Sequence, residues 1–468
     1  MISSTDFREH PLFQAAGFGA PTRFEADIAD CEVVEGAIPS DLRGRFYRMA
    51  CDFQYRPPEN DWFTGFNGDG HISMFTFDGS GKVAFKSRYI MTPRLKAERE
   101  ARKRLFGVYR NRLTDHPSVM HLPRTLANTH IYYHAGKLLA LKEDSPAFAI
   151  DPLTLEAKGL WSFHGYDAAT FSGHPKVDPV SGEMICYGFQ AKGDLTRDIF
   201  VYTVDEAGFV AKKWRFKAPW VPLVHDVAIT QKHIILPVVG IKTSLEQLKA
   251  GQPMWDLGNW DLSGKTMCAV IPRDGESKDI RWFEGPSRLT LHFLNAVTEG
   301  ERISMELPVS KALGAPPQIR RWTFDLSSKS NYQFGEDPMV ISDGLLPRMD
   351  DRYLSLPYEY GYVGCRAGSG DVGRAVYVKF DIHKGVVSTY RAESEIGSFQ
   401  ECSFAPRTKS GAEGDGYIMG IGSNTAEGES ELHIINADRM EPVAVIRMPF
   451  RLREGTHTNW VPSWQLAV

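Results

Sequence analysis

The sequence predicts an all-β fold, a seven-bladed β-propeller with helical and loop insertions forming a dome over one face. Three observations predict it. A short apolar strand ending in an aspartate recurs at Asp78, Asp151, Asp205, Asp274, Asp325, Asp381 and Asp438, in readings such as MFTFD, FVYTVD, RRWTFD and VYVKFD. Successive spacings are 73, 54, 69, 51, 56 and 57 residues, so the repeat spans the 468-residue chain and argues for one closed array over two or three separate domains. Around the aspartates lie short runs rich in β-branched and aromatic residues, separated by turns such as DGSGK, DPVSGE and DEAG. Antiparallel hairpins repeated seven times match four-stranded blades, and ring closure protects their edges. Residues 1–468 are therefore read as a single propeller domain.

The elements follow in order. HISMFTF and KVAFKSRYI form the first hairpin. The long interval between Asp78 and Asp151 implies an insertion, which opens with a basic run from Arg94 to Arg112 holding eight Lys/Arg against two Glu. Its spacing suits a helix with a solvated face, the alternative being a face turned to a membrane or polyanion. KLLALKE, EMICYGF, DIFVYTV and HIILPVV continue the strands. A second insertion between Asp205 and Asp274, TSLEQLKAGQPMWDLGNWDLSGK, reads as a helical or loop excursion over one face. Loops this long in a compact domain are usually lids or pocket walls. AVYVKFDI, YIMGIG, ELHIIN and VAVIRMP complete the ring.

Composition sets bounds on function. With 42% apolar and 12% aromatic residues the chain folds, and a net charge of −4 offers no global field for nucleic acid. Cys31, Cys51, Cys186, Cys268, Cys365 and Cys402 are scattered without a CxxC pair, which favours reduced thiols and a cytoplasmic location. The N-terminal residues carry no signal-peptide pattern, and no stretch approaches 18 apolar residues, so no membrane span is expected. The Trp-Asp or paired-glycine signatures of propellers that serve as binding scaffolds do not occur at the repeat period.

Four histidines share one phase of the repeat. His174, His225, His292 and His457 lie 23, 20, 18 and 19 residues beyond Asp151, Asp205, Asp274 and Asp438. That position begins the next blade's innermost strand, so the four imidazoles are expected to meet on the axis and hold one metal. The other ten histidines, His71, His130, His164, His233 and His433 among them, are read as structural or solvent-facing. Imidazole suits Zn, Cu, Fe and Ni, but a closed structural zinc site would be rich in Cys. Four neutral ligands on an ion that prefers six leave two positions free, which fits iron(II) acting on O₂. Histidine ligands usually donate their second N–H to a carboxylate or carbonyl. Glu401 holds the same phase, 20 residues after Asp381, and Glu143 follows apolar residues of an expected inner strand.

With these pieces in place the chain resembles the carotenoid cleavage oxygenase family along nearly its whole length. GRFYRMACDFQY, FNGDGHISMF, LANTH, LALKEDSP, the four histidine contexts, GDGYIMGIG and THTNWVP carry the resemblance. It implies an iron(II) held by His174, His225, His292 and His457, with Glu143 and Glu401 behind them, and O₂-dependent cleavage of an alkene to two carbonyl products. One departure stands out. The family places a third glutamate before a Pro-Arg-Ile/Met-Asp motif, where this chain has Leu345 in DGLLPRMD; Glu359 is the candidate to compensate. Within the family the chain looks most like bacterial lignostilbene and stilbene dioxygenases, on Lys142, Tyr109 and Phe66. That likeness implies that Lys142 and Tyr109 bind a substrate para-hydroxyl and Phe66 stacks on its ring. A phenol beside an ammonium is biased towards phenolate, which enriches the distant C=C. The expected substrate is a 4-hydroxystilbene-type alkene cleaved to two aromatic aldehydes, by an enzyme that can pair as a homodimer. The rival readings are an apocarotenoid oxygenase on the same iron centre and a metal-stabilised interaction module.

Overall fold

The computed structural model describes residues 20–466 apart from 59–60, 62–65, 255–259, 262–263, 313–314, 316, 331, 343–345, 367–374, 393–395 and 425. Seven antiparallel sheets follow one another around an axis. The first blade joins both ends of the chain: the strand Gly455–Pro462 pairs with Arg43–Asp52, which continues outward to Asp69–Asp78, Val83–Tyr89 and Ala26–Ile28. Blade two comprises His130–His134, Lys137–Leu141, Phe148–Ile150 and Ala157–Leu160; blade three comprises Lys176–Val177, Met184–Phe189, Asp198–Val204 and Val210–Lys217. In blade four Pro222–Leu223 and Ala228–Ile229 both pair with His233–Gly240, followed by Lys265–Pro272 and Arg281–Pro286. Blade five runs through Asn295–Glu299, Arg302–Val309, Gln318–Asp325 and Phe334–Ser342. Blade six holds Tyr360–Arg366, Ala375–Asp381 and Gly385–Arg391, with Arg348 bridging Tyr362 on its inner side. Blade seven holds Ile396–Pro406, Gly416–Asn424, Glu429–Asn436 and Glu441–Met448, edged by Glu32–Gly36.

The repeat aspartates share one structural position. Each ends the third strand from the axis, or follows it by one or two residues. At Asp78, Asp151, Asp205, Asp325 and Asp381 a carboxylate oxygen accepts N–H groups of the turn, as Asp151 does from Leu153 and Thr154 at 2.9 Å and Asp381 from His383 at 2.8 Å; at Asp438 the Asn436 side chain accepts them instead. Aspartate tolerates and tightens such turns.

Packing explains why the central strands read as unbroken apolar runs. Each blade is covered on both faces by its neighbours, and alternate residues of a strand serve opposite interfaces. Leu138 and Ala140 face blade one, with Tyr47, Met49 and Ile72. Leu139 and Leu141 face blade three, with Met184 and Cys186. All seven residues of Asp198–Val204 are buried, whereas the outer strand Val210–Lys217 alternates and carries Lys212, Lys213, Arg215 and Lys217 on an otherwise open edge. Cys31, Cys51, Cys186, Cys268 and Cys402 are buried, and the first four are free thiols.

The first insertion departs from the expected long helix. Among its described residues only Pro93–Ala101 is α-helical, capped by the Thr92 hydroxyl and ended by Arg102 in the left-handed region at φ 53°; Arg112–Thr114 and Pro117–Val119 are single 3-10 turns. The buried Glu98 carboxylate accepts Leu105 N–H at 2.9 Å and Phe106 N–H at 3.0 Å, which turns the chain back under the helix. Its basic residues are not all solvated: Arg94 and Arg110 are buried. The second insertion contains the helix Leu245–Lys249, and the Asn111 amide ties the two insertions together by donating to Leu248 O at 2.7 Å and Gln252 O at 2.6 Å. Among the described residues no helix is long and apolar enough to cross a membrane.

Candidate metal centre and substrate-facing residues

Inner strands or the residues leading into them place all four in-phase histidines. His174 precedes Lys176–Val177, His225 lies between the two short strands of blade four, His292 precedes Asn295–Glu299 and His457 sits within Gly455–Pro462. One nitrogen of each lies within 4.8 Å of the other three. The Nε2 atoms of His174 and His225 are 3.2 Å apart, and those of His225 and His292 are 3.3 Å apart. Two imidazole nitrogens about 2.0–2.1 Å from one first-row ion span such a distance. The donor set therefore fits a metal, and it supplies four imidazoles with no thiolate or carboxylate. Burial pushes His174 well below the usual imidazole range, aided by His457 and His225, which keeps it in the neutral form that binds a cation.

Glu143 and Glu401 stand where the sequence predicts carboxylate partners. The Nδ1–H of His225 donates to Glu143 Oε1, and that of His457 donates to Glu401 Oε1 at 3.1 Å. These bonds leave Nε2 of each ring free to face the axis. Burial alone would raise both carboxyls. His225 and Lys142 hold Glu143 below its usual range, and His457 and Arg348 bring Glu401 down to about 2. Glu401 also accepts the Thr458 N–H and hydroxyl through Oε2. Glu143, however, follows the second strand of its blade, Lys137–Leu141, and not an inner strand. Leu345 lies outside the described residues. Glu359 does not compensate for it: the residue is exposed, its N–H donates to Glu413 and its side chain engages Tyr360.

Lys142, Tyr109 and Phe66 come together at one end of the site. The Lys142 ammonium is buried, lies 4.8 Å from the Tyr109 ring centroid and 5.7 Å from that of Phe66, and donates to Phe66 O at 3.3 Å. It has no carboxylate partner among the described residues. Burial, with Glu143 and Asp144 nearby, raises Tyr109 well above the usual phenol range, so its hydroxyl stays protonated. The first insertion builds this corner. Arg94 donates to Asn67 Oδ1 at 2.9 Å and Arg104 to Asn67 O at 2.7 Å, while Asn128 donates to Phe66 O and Gly68 O at 2.9 and 2.6 Å. Arg124 fixes the Tyr109 segment by donating to Val108 O at 3.0 Å and Asp115 at 2.9 Å.

A fifth histidine, expected to be structural or solvent-facing, is buried at the centre. His130 begins the inner strand of blade two, with its ring centroid 5.1 Å from His174 and 4.9 Å from His457. The first insertion pushes it 52 residues beyond Asp78, so the spacing that exposes the other four hides it.

Comparison with known proteins agrees with this geometry. Residues 19–462 match the family described as RPE65, retinal pigment epithelial membrane protein. The chain is 37% identical to an isoeugenol monooxygenase of Pseudomonas putida, covering 96% of this chain and 97% of the relative. It is 37% identical to lignostilbene-alpha,beta-dioxygenase isozyme III of Sphingomonas paucimobilis, covering 96% of each. The crystal structure of a lignostilbene dioxygenase from Pseudomonas brassicacearum superposes with a TM-score of 0.91 at 33% identity, covering 98% of this chain and all of that one. The seven blades, the four converging imidazoles and these matches make the chain a member of the RPE65/carotenoid cleavage oxygenase family.

Proposed function

We propose that the protein is a non-haem iron(II) dioxygenase that cleaves the interphenyl C=C of a 4-hydroxystilbene-type alkene into two aromatic aldehydes. The observation that carries this reading is the buried Lys142 ammonium, set against Tyr109 and Phe66 without a carboxylate partner among the described residues. A buried charge persists when a partner compensates it, and a substrate phenolate supplies that partner. The names of the relatives above, which act on lignostilbene and isoeugenol, support a phenolic alkene over a polyene.

His174, His225, His292 and His457 would hold the iron, whose contribution when bound is to bind and activate O₂. The Lys142 ammonium favours loss of the substrate's phenol proton, because an adjacent cation stabilises the anion. Tyr109 stays protonated and donates its O–H to the same oxygen. Phe66 offers a ring face to the bound phenol. Charge released at the para position travels through the conjugated system to the alkene and makes it electron-rich. Scission of one C=C to two C=O balances the four-electron reduction of O₂, so no external reductant is needed.

The test is turnover of a panel comprising resveratrol, its para-methoxy analogue, an isoeugenol-like phenylpropene and an apocarotenal, with product masses recorded. The expected result is two aldehydes from resveratrol and a strongly reduced rate on the methoxy compound. Equal rates on those two would remove the phenolate step, and preference for the apocarotenal would replace the substrate class.

A further inference from the structure

The LANTH segment, residues 126–130, leads from the first insertion into the inner strand of blade two, and its backbone is held on both sides. Leu126 O accepts the Gly70 N–H at 3.0 Å, and the Thr129 N–H donates to Leu141 O at 2.9 Å, one residue before Lys142. Ala127 turns the chain between them in the left-handed region, at φ 50°. Gly70 leaves the room this turn needs, since a Cβ there would lie 2.3 Å from Ala127 O. Asn128 is thereby wedged, fully buried, between blade one and the strand Lys137–Leu141. Its own carbonyl accepts the Cys51 thiol at 3.4 Å and the Thr456 hydroxyl at 3.1 Å.

The Asn128 side chain reaches the corner that holds Lys142. The carbonyl oxygens of Phe66 and Gly68 meet one end of its amide at 2.9 and 2.6 Å, which fixes that end as the NH₂ group. Phe66 O is also the acceptor of the Lys142 ammonium, at 3.3 Å. One carbonyl thus serves two donors, and its two lone pairs suffice for both. The amide is the nearer of the two, so it sets where the oxygen sits. The ammonium uses one of its three N–H bonds on that oxygen, and its Nζ stays 4.8 Å from the Tyr109 ring centroid. Removing the amide takes a donor from both carbonyls in the interior, a costly change. Phe66 O then draws on the ammonium alone, and residues 66–68 are free to shift and carry the charge with them.

We infer that Asn128 is a positioning residue for the substrate phenol. It holds the Phe66 carbonyl, the carbonyl orients the Lys142 ammonium, and the ammonium sets the ionisation of the phenol. This role rests on the phenolate reading of Lys142, and the experiment separates the two.

4-Hydroxystilbene is bound to the full chain under argon, where cleavage does not proceed, and its phenolate fraction is read across pH from the red-shifted absorption. In the wild type the midpoint is expected about 1–3 pH units below that of the free compound, the effect of an adjacent cation. Lys142→Met should return it to the free value. Asn128→Leu, similar in size but without donors, should raise the wild-type midpoint by about one pH unit, with bound metal unchanged. Asn128→Ser, whose hydroxyl ends one bond short of the amide nitrogen, should raise it by less. A role confined to holding the fold would lower the melting temperature and leave the midpoint in place. A midpoint that neither variant moves would overturn the positioning role while leaving the phenolate reading intact. A wild-type midpoint equal to that of the free compound, or no binding at all, would overturn that reading and the positioning role with it. Should Asn128→Leu not fold, Asn128→Ser decides by the same measurement.

Discussion

The two ends of the site are built by different means. The histidine ring is assembled from equivalent positions of separate blades, each held by a sheet buried on both faces. The corner proposed to face the phenol is assembled from a single insertion and the loops it pins, through Asn67, Asn128 and Arg124. A metal needs several donors at one point, and blade symmetry delivers them. Recognition of one side of an aromatic ring needs asymmetry, and an insertion that interrupts the repeat delivers that. If this division is real, the two ends should fail separately when altered.

The largest effect is expected in the ring. His174→Ala removes one of four converging donors, and bound metal should fall below about a tenth of an ion per chain with turnover undetectable. Elemental analysis of the purified protein measures it. Metal retained at wild-type level would show that the remaining imidazoles suffice and that the ring is over-determined.

The next effect belongs to the other end. Lys142→Met keeps the bulk and apolar stem but removes the ammonium. Metal content should be unchanged while kcat on a 4-hydroxystilbene falls about 10²–10³-fold, in the range of a lost proton-transfer or charge-stabilising group. The same variant should cleave an apocarotenal, if the wild type does so at all, at an unaltered rate. Loss of metal in Lys142→Met would break the separation, since Lys142 adjoins Glu143 and Glu143 grips His225.

How much of this was legible in the sequence follows the same division. The ring could be read because symmetry writes itself as spacing: the aspartates mark the third strands and the histidines lie about 20 residues later. Glu401 was legible for the same reason. His130 was not, because an insertion separates it from its aspartate. Glu143 was found, yet assigned to the wrong strand, since burial on both faces makes inner and second strands equally apolar. The corner formed by Lys142, Tyr109 and Phe66 left no periodic trace, and its grouping was suggested only by family resemblance. The contacts that orient them run from Arg94 and Arg104 to Asn67, across chain separations no local pattern reports. The basic run that supplies these arginines looked like a solvated helix face for that reason.

Between the ends lies the question of how firmly each ligand is aimed. Glu401 is tied to His457, to Thr458 twice, and lies 3.6 Å from Arg348. Glu401→Gln keeps the shape and removes the charge, and metal affinity should drop about 10–100-fold, as is usual when a carboxylate behind a histidine ligand is lost. Competition with a chelator measures it. Affinity for a 4-hydroxystilbene should hold, which again sets ring against corner.

The smallest effect tests a place that serves neither end. Asp178, in the turn after the inner strand of blade three, accepts from Arg273 of blade four at 2.6 Å and from Gln231 at 2.9 Å. Burial alone would raise its carboxyl, but Arg273, Gln231 and the Val180 N–H hold it below the usual range. A carboxyl whose folded value is depressed contributes stability that is fully present above its unfolded value of about 3.9 and is lost as pH falls through the folded value. Asp178→Asn should therefore lower the melting temperature by about 2–5 °C near pH 7, with the gap to wild type closing as pH falls through the depressed folded value. Metal content and turnover at 25 °C should not move, because the bonds to Asp178 come from its own turn and from blade four, and not from the four histidines. A gap that persists at low pH would mean that shape, and not charge, joins these two blades. A change in metal content would mean that the seam between them reaches His174 and His225, and that the ring depends on its neighbours more than its symmetry suggests.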